Sequence, residues 1–170
     1  ATVVADEETE IVCITSEDLN NLLSCENGMN YIPIIVNIAR LMSERLRKTN
    51  KLIAEGMEVI YEAAFQHEQV LAALDIFVKK DGKYFAYEVK SSTKISATYI
   101  LDAALQYYVI VNSGVELEDF FIVHINNQYV RKGAIGPEEL FATEDVTKQA
   151  DELIPEIETN IADMLETIRK

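Results

Sequence analysis

The fold is decided by LDIFVKKDGKYFAYEVKSS, residues 74–92 of a 170-residue chain. Two short apolar runs flank a Lys-Asp-Gly turn, which is the sequence pattern of a β-hairpin. Because side chains alternate between the two faces of a strand, Glu88 and Lys90 point the same way from the second run. If Asp75 of the first run lies on that face, two carboxylates and an ammonium converge. Such a cluster is a candidate divalent-metal site.

The hairpin lies inside a longer series of predicted elements. Alternation in the first run puts Asp75 on the same face as Ala73 and Phe77. A long helix is predicted to begin near Pro33 and to end near Gly56, either continuous or broken near Thr49. The other predicted elements are the strands Val59–Phe65, Val70–Lys79 and Lys83–Val89, the helix Ala97–Asn112 and the strand Glu118–Ile125. We therefore expect one α+β domain in the order helix, three-strand antiparallel meander, helix, strand.

The two ends of the chain are predicted to be additions to a core that spans about residues 33–126. The accessory N-terminal segment, 1–32, offers an edge strand at Ile11–Thr15 and a helix beginning at Ser16. The accessory C-terminal segment, 137–170, predicts a helical turn at Glu138–Phe141 and a last helix from Glu144 with Pro155 in its first turn or splitting it. The apolar stripe of that helix could pack on the domain or pair two chains, so the oligomeric state stays open. The polar start and helical end are compatible with a fragment of a longer protein.

The charge distribution limits the class of partner. A formal net charge of −14 argues against strong nucleic-acid binding, because phosphate contacts need lysine and arginine. The basic residues are nevertheless concentrated around the hairpin, and none occurs before Arg40. We expect Lys48, Lys51 and Lys94 to contact nucleic acid if the hairpin carries a site for it.

Composition also indicates a compartment. No run of about 18 apolar residues could cross a membrane, and the N-terminus lacks the pattern of a signal peptide, so a cytoplasmic protein without membrane contact is expected. Cys13 and Cys25 are the only cysteines, and their spacing favours two reduced thiols over a disulfide or a zinc site.

The motif Asp75…Glu88-Val89-Lys90 resembles that of the PD-(D/E)xK nuclease superfamily, in which an Asp on the second strand precedes a Glu-x-Lys on the third. In its RecB-like branch, which includes CRISPR-associated exonucleases, the next helix carries a Gln followed by a Tyr, as Gln106 and Tyr107 do here. The chain also resembles an uncharacterised bacterial domain family of that branch. The resemblance covers roughly residues 52–147 and implies a restriction-endonuclease-like core, an α/β sandwich.

The resemblance implies a metal site on the hairpin. Asp75, Glu88 and the backbone carbonyl of Val89 would ligate Mg²⁺ or Mn²⁺, which prefer oxygen ligands. Lys90 would orient or deprotonate a water, or stabilise charge on the cleaved phosphate, and it could act as a base only if burial lowers its pKa. Glu62 on the first strand is either a third acidic ligand or a solvated strand residue.

The following helix would complete the site. Gln106 would position the substrate backbone or the active-site face, as a further catalytic residue, with a helix-surface amide as the alternative. Tyr107 would either stack on a base or pack in the core. Three features depart from the RecB-like pattern: the helix before the meander has no histidine, Ile110 stands four residues after the glutamine where relatives often have a tyrosine, and two cysteines cannot build an iron–sulfur cluster.

Together these features predict a metal-dependent nuclease domain that hydrolyses DNA phosphodiester bonds, as an exonuclease or on single strands or ends. Its acidic surface indicates that the domain alone binds DNA weakly, so another domain or a protein partner could supply additional affinity for DNA. The alternative is an inactive nuclease-fold module that binds a protein partner.

Overall fold

A computed structural model describes residues 32–169, without the side chains of Ile32, Ile34 and Arg169. The chain divides into two compact units, residues 1–41 and 42–170, and the sheet and the core belong to the second. The predicted strand Ile11–Thr15 and the helix from Ser16 lie outside the described residues. Among the helices that are described, none is long and apolar enough to cross a membrane.

The described helices and strands form an α+β protein. In chain order they are α1 (Ile32–Ala54), β1 (Val59–His67), β2 (Val70–Lys80), β3 (Lys83–Lys90), α2 (Ala97–Asn112), β4 (Leu117–Ile125), α3 (Pro137–Leu140), β5 (Phe141–Asp145), α4 (Thr147–Glu152) and α5 (Ile154–Arg169). The strands form one five-stranded sheet in the order β1-β2-β3-β4-β5. Only β3 and β4 pair in parallel, and α2 makes the crossover that such a pair requires. The predicted α+β class is confirmed, and the architecture is consistent with a restriction-endonuclease-like fold.

Local sequence explains the boundaries of the central hairpin and of α2. Asp81 and Gly82 both have positive φ, 53° and 82°, as the two central residues of a tight hairpin turn require. The helix α2 begins where expected, because the Ser96 hydroxyl accepts a hydrogen bond from the Tyr99 N–H at 3.3 Å.

Three sequence expectations are wrong. Helix α1 runs unbroken through Thr49, whose hydroxyl instead accepts the Ala64 N–H at 2.9 Å in the interior. Glu144 does not start a helix, since it lies in β5, and α4 begins at Thr147. Phe141 likewise belongs to β5 and not to the preceding helical turn.

The strands β1 and β2 bend together at Glu62 and Asp75, which interrupt an otherwise regular pairing. Glu62 has a φ of 55°, a left-handed backbone conformation that is uncommon outside glycine. Phe65 pairs with Ala72, five residues from Phe77, a separation of about 17 Å along a straight strand. The rings of Phe65 and Phe77 nevertheless lie 5.0 Å apart, which requires the strand to bend between them.

This bend changes which residues of β2 face the core. Ala72 and Leu74 are buried before it and Phe77 after it, so the buried positions change parity at Asp75. The expectation that Asp75 shares one regular face with Ala73 and Phe77 is therefore wrong, because Ala73 is exposed.

The core lies between the sheet and α2, and α4 and α5 pack on α2. Ala103 and Ala104 are fully buried in α2, and small side chains let the helix lie close to the strands. From this position α2 presents polar side chains to the C-terminal end of β3.

Candidate active site

Asp75 contacts β3 through its side chain. Its Oδ2 accepts a hydrogen bond from the Val89 N–H at 2.7 Å, so the carboxylate replaces a backbone partner where the bend interrupts the ladder. The N–H and C=O of a strand residue point to the same side. The Val89 carbonyl therefore also lies on the side of β3 that faces Asp75.

Glu88 and Lys90 form an ion pair on the face of β3 that α2 covers. The Lys90 Nζ lies 2.8 Å from Glu88 Oε1, and the two side chains are 16% and 10% exposed. Lys90 also makes a close ion pair with Asp102 Oδ2, and its Nζ lies 5.4 Å from the centre of the Tyr99 ring. The ammonium is thus held by three side chains.

One face of α2 supplies the helical side of this cluster. Tyr99, Asp102 and Gln106 are spaced i, i+3 and i+7, which places them on one stripe of the helix. Sequence reasoning identified Gln106 but not Asp102 or Tyr99 as site residues. The available signal was the spacing of four residues between Asp102 and Gln106 in a helix that directly follows Glu88 and Lys90.

The environment of Glu88 disfavours its ionised form. Burial raises the pKa of its carboxyl, the nearby charge of Asp75 raises it further, and the ion pair with Lys90 and the neighbouring Gln106 amide oppose the rise. Within residues 32–169, neither Glu88 Oε2 nor Gln106 Oε1 has a hydrogen-bond partner, and both atoms are buried. Because both are acceptors, a donor or a cation would satisfy them.

Lys90 is an ammonium in this arrangement. Burial pulls its pKa down, but hydrogen bonds to Asp102 and Glu88 and the charges of those carboxylates outweigh burial and raise the pKa above its ordinary value. The condition for action as a base, a lowered pKa, is therefore not met while both carboxylates hold the lysine. A cation that orients ligands or stabilises negative charge is the role this geometry allows.

The donors around Asp75 fit a divalent ion. The carboxylates of Asp75 and Glu88 and the Val89 carbonyl are hard oxygen donors, and Glu88 Oε2 is a buried oxygen without a partner. Asp75, Glu88 and Asp102 carry three negative charges against the one positive charge of Lys90, which leaves an excess that a divalent cation would neutralise. In the described part of the chain, no three His, Cys, Asp or Glu residues form a group that could hold an ion, so a ligand set there would rest on two carboxylates and the backbone.

The carboxylate of Glu62, opposite Asp75 at the bend, is paired with a residue of α1. It is 58% exposed and pairs with Arg45 at 2.7 Å, on the side of α1. Arg45 and Lys48 line a cleft of about 310 Å³ together with the exposed Tyr61. Lys51 is also exposed, and its Nζ lies 3.7 Å from a carboxylate oxygen of Glu55.

The other predicted nucleic-acid contacts flank α2. Lys94 is exposed in the loop after β3, where its carbonyl accepts a hydrogen bond from the Ser92 hydroxyl at 2.6 Å. Tyr107 is half-buried against the core, and burial together with the charge of Asp151 raises its pKa. That surrounding agrees with a packing role for Tyr107 and leaves part of its ring accessible.

His124 lies on β4 next to Lys90 in the ladder, but its ring nitrogens have other partners. Nε2 lies 2.9 Å from Glu144 Oε1, and Nδ1 lies 3.1 Å from the Ile125 carbonyl oxygen. Both ring nitrogens of His124 are therefore within hydrogen-bond distance of an oxygen, as in a satisfied histidine at the edge of the core.

No protein-family model and no curated protein matches the chain. Several solved structures resemble it, including the two that follow. The crystal structure of SSO0001 aligns with 88% of this chain and 78% of that one, at 12% identity and a TM-score of 0.36. An alkaline exonuclease (LHK-Exo) from Laribacter hongkongensis aligns with 93% of this chain and 88% of that one, at 11% identity and a TM-score of 0.35. Side-chain geometry, and not these distant likenesses, carries the functional proposal.

Proposed function

We propose that this chain is a metal-dependent nuclease domain that hydrolyses DNA phosphodiester bonds. The observation that carries the proposal is the contact of the Asp75 carboxylate with the Val89 N–H, next to the Glu88–Lys90 ion pair on the same strand; among the described residues, Glu88 Oε2 is buried and has no hydrogen-bond partner. A buried carboxylate oxygen without a hydrogen-bond partner is costly to a fold, and such costs are typical of functional sites.

Each residue of the proposed site has a role that follows from its chemistry. Asp75, Glu88 and the Val89 carbonyl would hold Mg²⁺ or Mn²⁺, and when bound the ion would lower the pKa of a water and polarise the phosphodiester. Lys90, as an ammonium, donates hydrogen bonds to a phosphate oxygen or to the attacking water and stabilises the charge that develops during cleavage. The Gln106 amide, beside Glu88, positions the substrate.

Single strands or DNA ends are the substrates we propose. The net charge of −14 keeps the intrinsic affinity for a phosphate backbone low, and exposed Lys48 and Lys94 supply local positive charge. Tyr107 offers part of a ring for stacking on an unpaired base. A further domain or a protein partner would then raise affinity for the substrate.

The test is cleavage of end-labelled single-stranded and duplex DNA in Mn²⁺, with a matched set of variants. Asp75→Asn and Lys90→Met remove one charge each at the site. Asp81→Asn removes a carboxylate at the turn of the same hairpin, where a positive φ suits asparagine equally well, and serves as the control. We expect the first two variants to lose cleavage by about 100-fold or more and the control to match wild type.

Three outcomes separate the possibilities. Cleavage that needs metal and fails in both site variants supports the proposal, and the product ladder gives exonuclease or endonuclease action. Absence of both cleavage and Mn²⁺ binding would replace it with a protein-binding module on the same fold. Mn²⁺ binding without cleavage would indicate that the domain needs its partner.

A further inference from the structure

Lys90 is shared among three neighbours. Its Nζ makes one ion pair with Asp102 on α2 and another, of 2.8 Å, with Glu88 on its own strand, and it lies over the Tyr99 ring. Asp102 is the more exposed of the two carboxylates, with 42% of its side chain accessible against 10% for Glu88. The ammonium is therefore bonded to a carboxylate of the helix as well as to the buried carboxylate of the strand.

The position of this charge decides what Glu88 can bind. An ammonium that rests on Glu88 alone would neutralise it and compete with any cation for its oxygens. Lys90 bonds Oε1 of Glu88, and Oε2 is buried with no hydrogen-bond partner in the described part of the chain. Glu88 thus has one oxygen that the lysine does not use.

We propose that Asp102 is a positioning residue, which holds the Lys90 ammonium against α2 and thereby keeps Glu88 available to a divalent cation. The inference rests on the proposed function, since it concerns the same metal site. Asp102 acts through Lys90 and need not touch the ion, so its effect depends on the presence of the lysine.

That dependence gives a test that does not use cleavage. Mn²⁺ affinity is measured by titration calorimetry for wild type, Asp102→Asn, Lys90→Met and the double variant. Glu156→Gln, which removes an exposed carboxylate on the facing helix α5, is the control for loss of charge alone. Circular dichroism and thermal unfolding confirm that each variant is folded, which the exposure of Asp102 favours.

We expect the effects of the two substitutions on Mn²⁺ affinity to be non-additive in the double-mutant cycle. Asp102→Asn weakens Mn²⁺ binding by about tenfold or more, in the range found when a residue that orients a metal ligand is changed. In the Lys90→Met background the same change has an effect within about twofold, because no ammonium remains to be held. Asp102→Glu restores most of the affinity, and Glu156→Gln leaves it near wild type.

Two results would overturn the inference and leave the proposed function intact: an equal loss from Asp102→Asn with and without Lys90, or no loss at all. The first would mean that Asp102 acts by its charge alone. A wild-type chain that fails to bind Mn²⁺ would overturn both proposals, and the wild-type titration distinguishes this case from the other two.

Discussion

Glu88 is held where its ionised form is disfavoured. Burial raises its pKa above the ordinary value, Asp75 adds to the rise, and Lys90 offsets only part of it. A carboxyl whose pKa is higher in the folded than in the unfolded protein stabilises the fold most when it is protonated in both states, at pH below its unfolded pKa. That stabilisation is lost as the pH rises through the raised folded pKa.

We therefore expect Glu88→Gln to stabilise the metal-free protein near neutral pH, on the order of 1 kcal/mol, because the neutral amide avoids the cost of burying a charge. The advantage over wild type should grow as the pH rises from below the ordinary glutamate pKa and level off above the raised one. Urea unfolding of both proteins across that pH range measures it. A variant that is less stable than wild type at every pH would contradict the expectation.

At the scale of single residues, the sequence predicted which side chains of β3 share a face better than it predicted their contacts with other elements. Alternation was enough to place Glu88 and Lys90 together on β3. The contact of Asp75 with the Val89 N–H depends on a bend of β1 and β2. The residue with left-handed backbone at this bend is Glu62, so no glycine or proline marks the bend in the sequence. The tie from Lys90 to Asp102 depends on how α2 packs on the sheet, which is a tertiary fact.

At the scale of elements, the same contrast appears between the hairpin and β5. The Asp-Gly turn and the apolar runs defined the β2–β3 hairpin, and its observed strands end within a residue of the prediction. β5, residues 141–145, is an exposed edge strand that ends in Thr-Glu-Asp, so it lacks the apolar alternation that identifies a strand. Its pairing with β4 is decided by the partner and not by its own sequence.

The junction between β5 and α4 depends on one carboxylate. Asp145 Oδ1 accepts hydrogen bonds from the Thr147 N–H at 2.9 Å and from the Thr147 hydroxyl at 2.6 Å. The same hydroxyl oxygen accepts the Phe120 N–H of β4 at 2.8 Å. Asp145 thus orients the residue that joins the first turn of α4 to the sheet.

We expect Asp145→Ala to lower the free energy of unfolding by about 1 kcal/mol, because it removes the acceptor of the two hydrogen bonds from Thr147. Asp145→Asn is the matched control, because it keeps the acceptor oxygen. Burial is the main cause that raises the pKa of Asp119, and the charge of Asp145, which Asp145→Asn removes, adds to it. The free energy of unfolding of Asp145→Asn should remain within about 0.5 kcal/mol of that of wild type. Equal unfolding midpoints in denaturant for all three proteins would show that the junction does not need this side chain.

At the scale of the whole molecule, charge is distributed unevenly. The chain carries 29 acidic against 15 basic residues, so its overall field repels a phosphate backbone. Binding of DNA would therefore depend on a few exposed cations and would be weak and sensitive to salt. Lys48 and Lys94 are exposed and come from separate elements, α1 and the loop after β3.

The number of cations that contact phosphate determines how DNA affinity depends on salt concentration. Each cation that contacts a phosphate of single-stranded DNA contributes about −0.7 to the slope of the logarithm of affinity against the logarithm of salt concentration. The double variant Lys48→Gln, Lys94→Gln should therefore bind a labelled single-stranded oligonucleotide with a slope shallower than that of wild type by about 1.4. Fluorescence anisotropy at several salt concentrations measures both slopes, and Lys148→Gln removes a lysine on α4 that is 89% exposed as the control for charge alone. If Lys148→Gln changes the slope as much per charge as the double variant does, the two lysines do not contact DNA and binding reflects net charge.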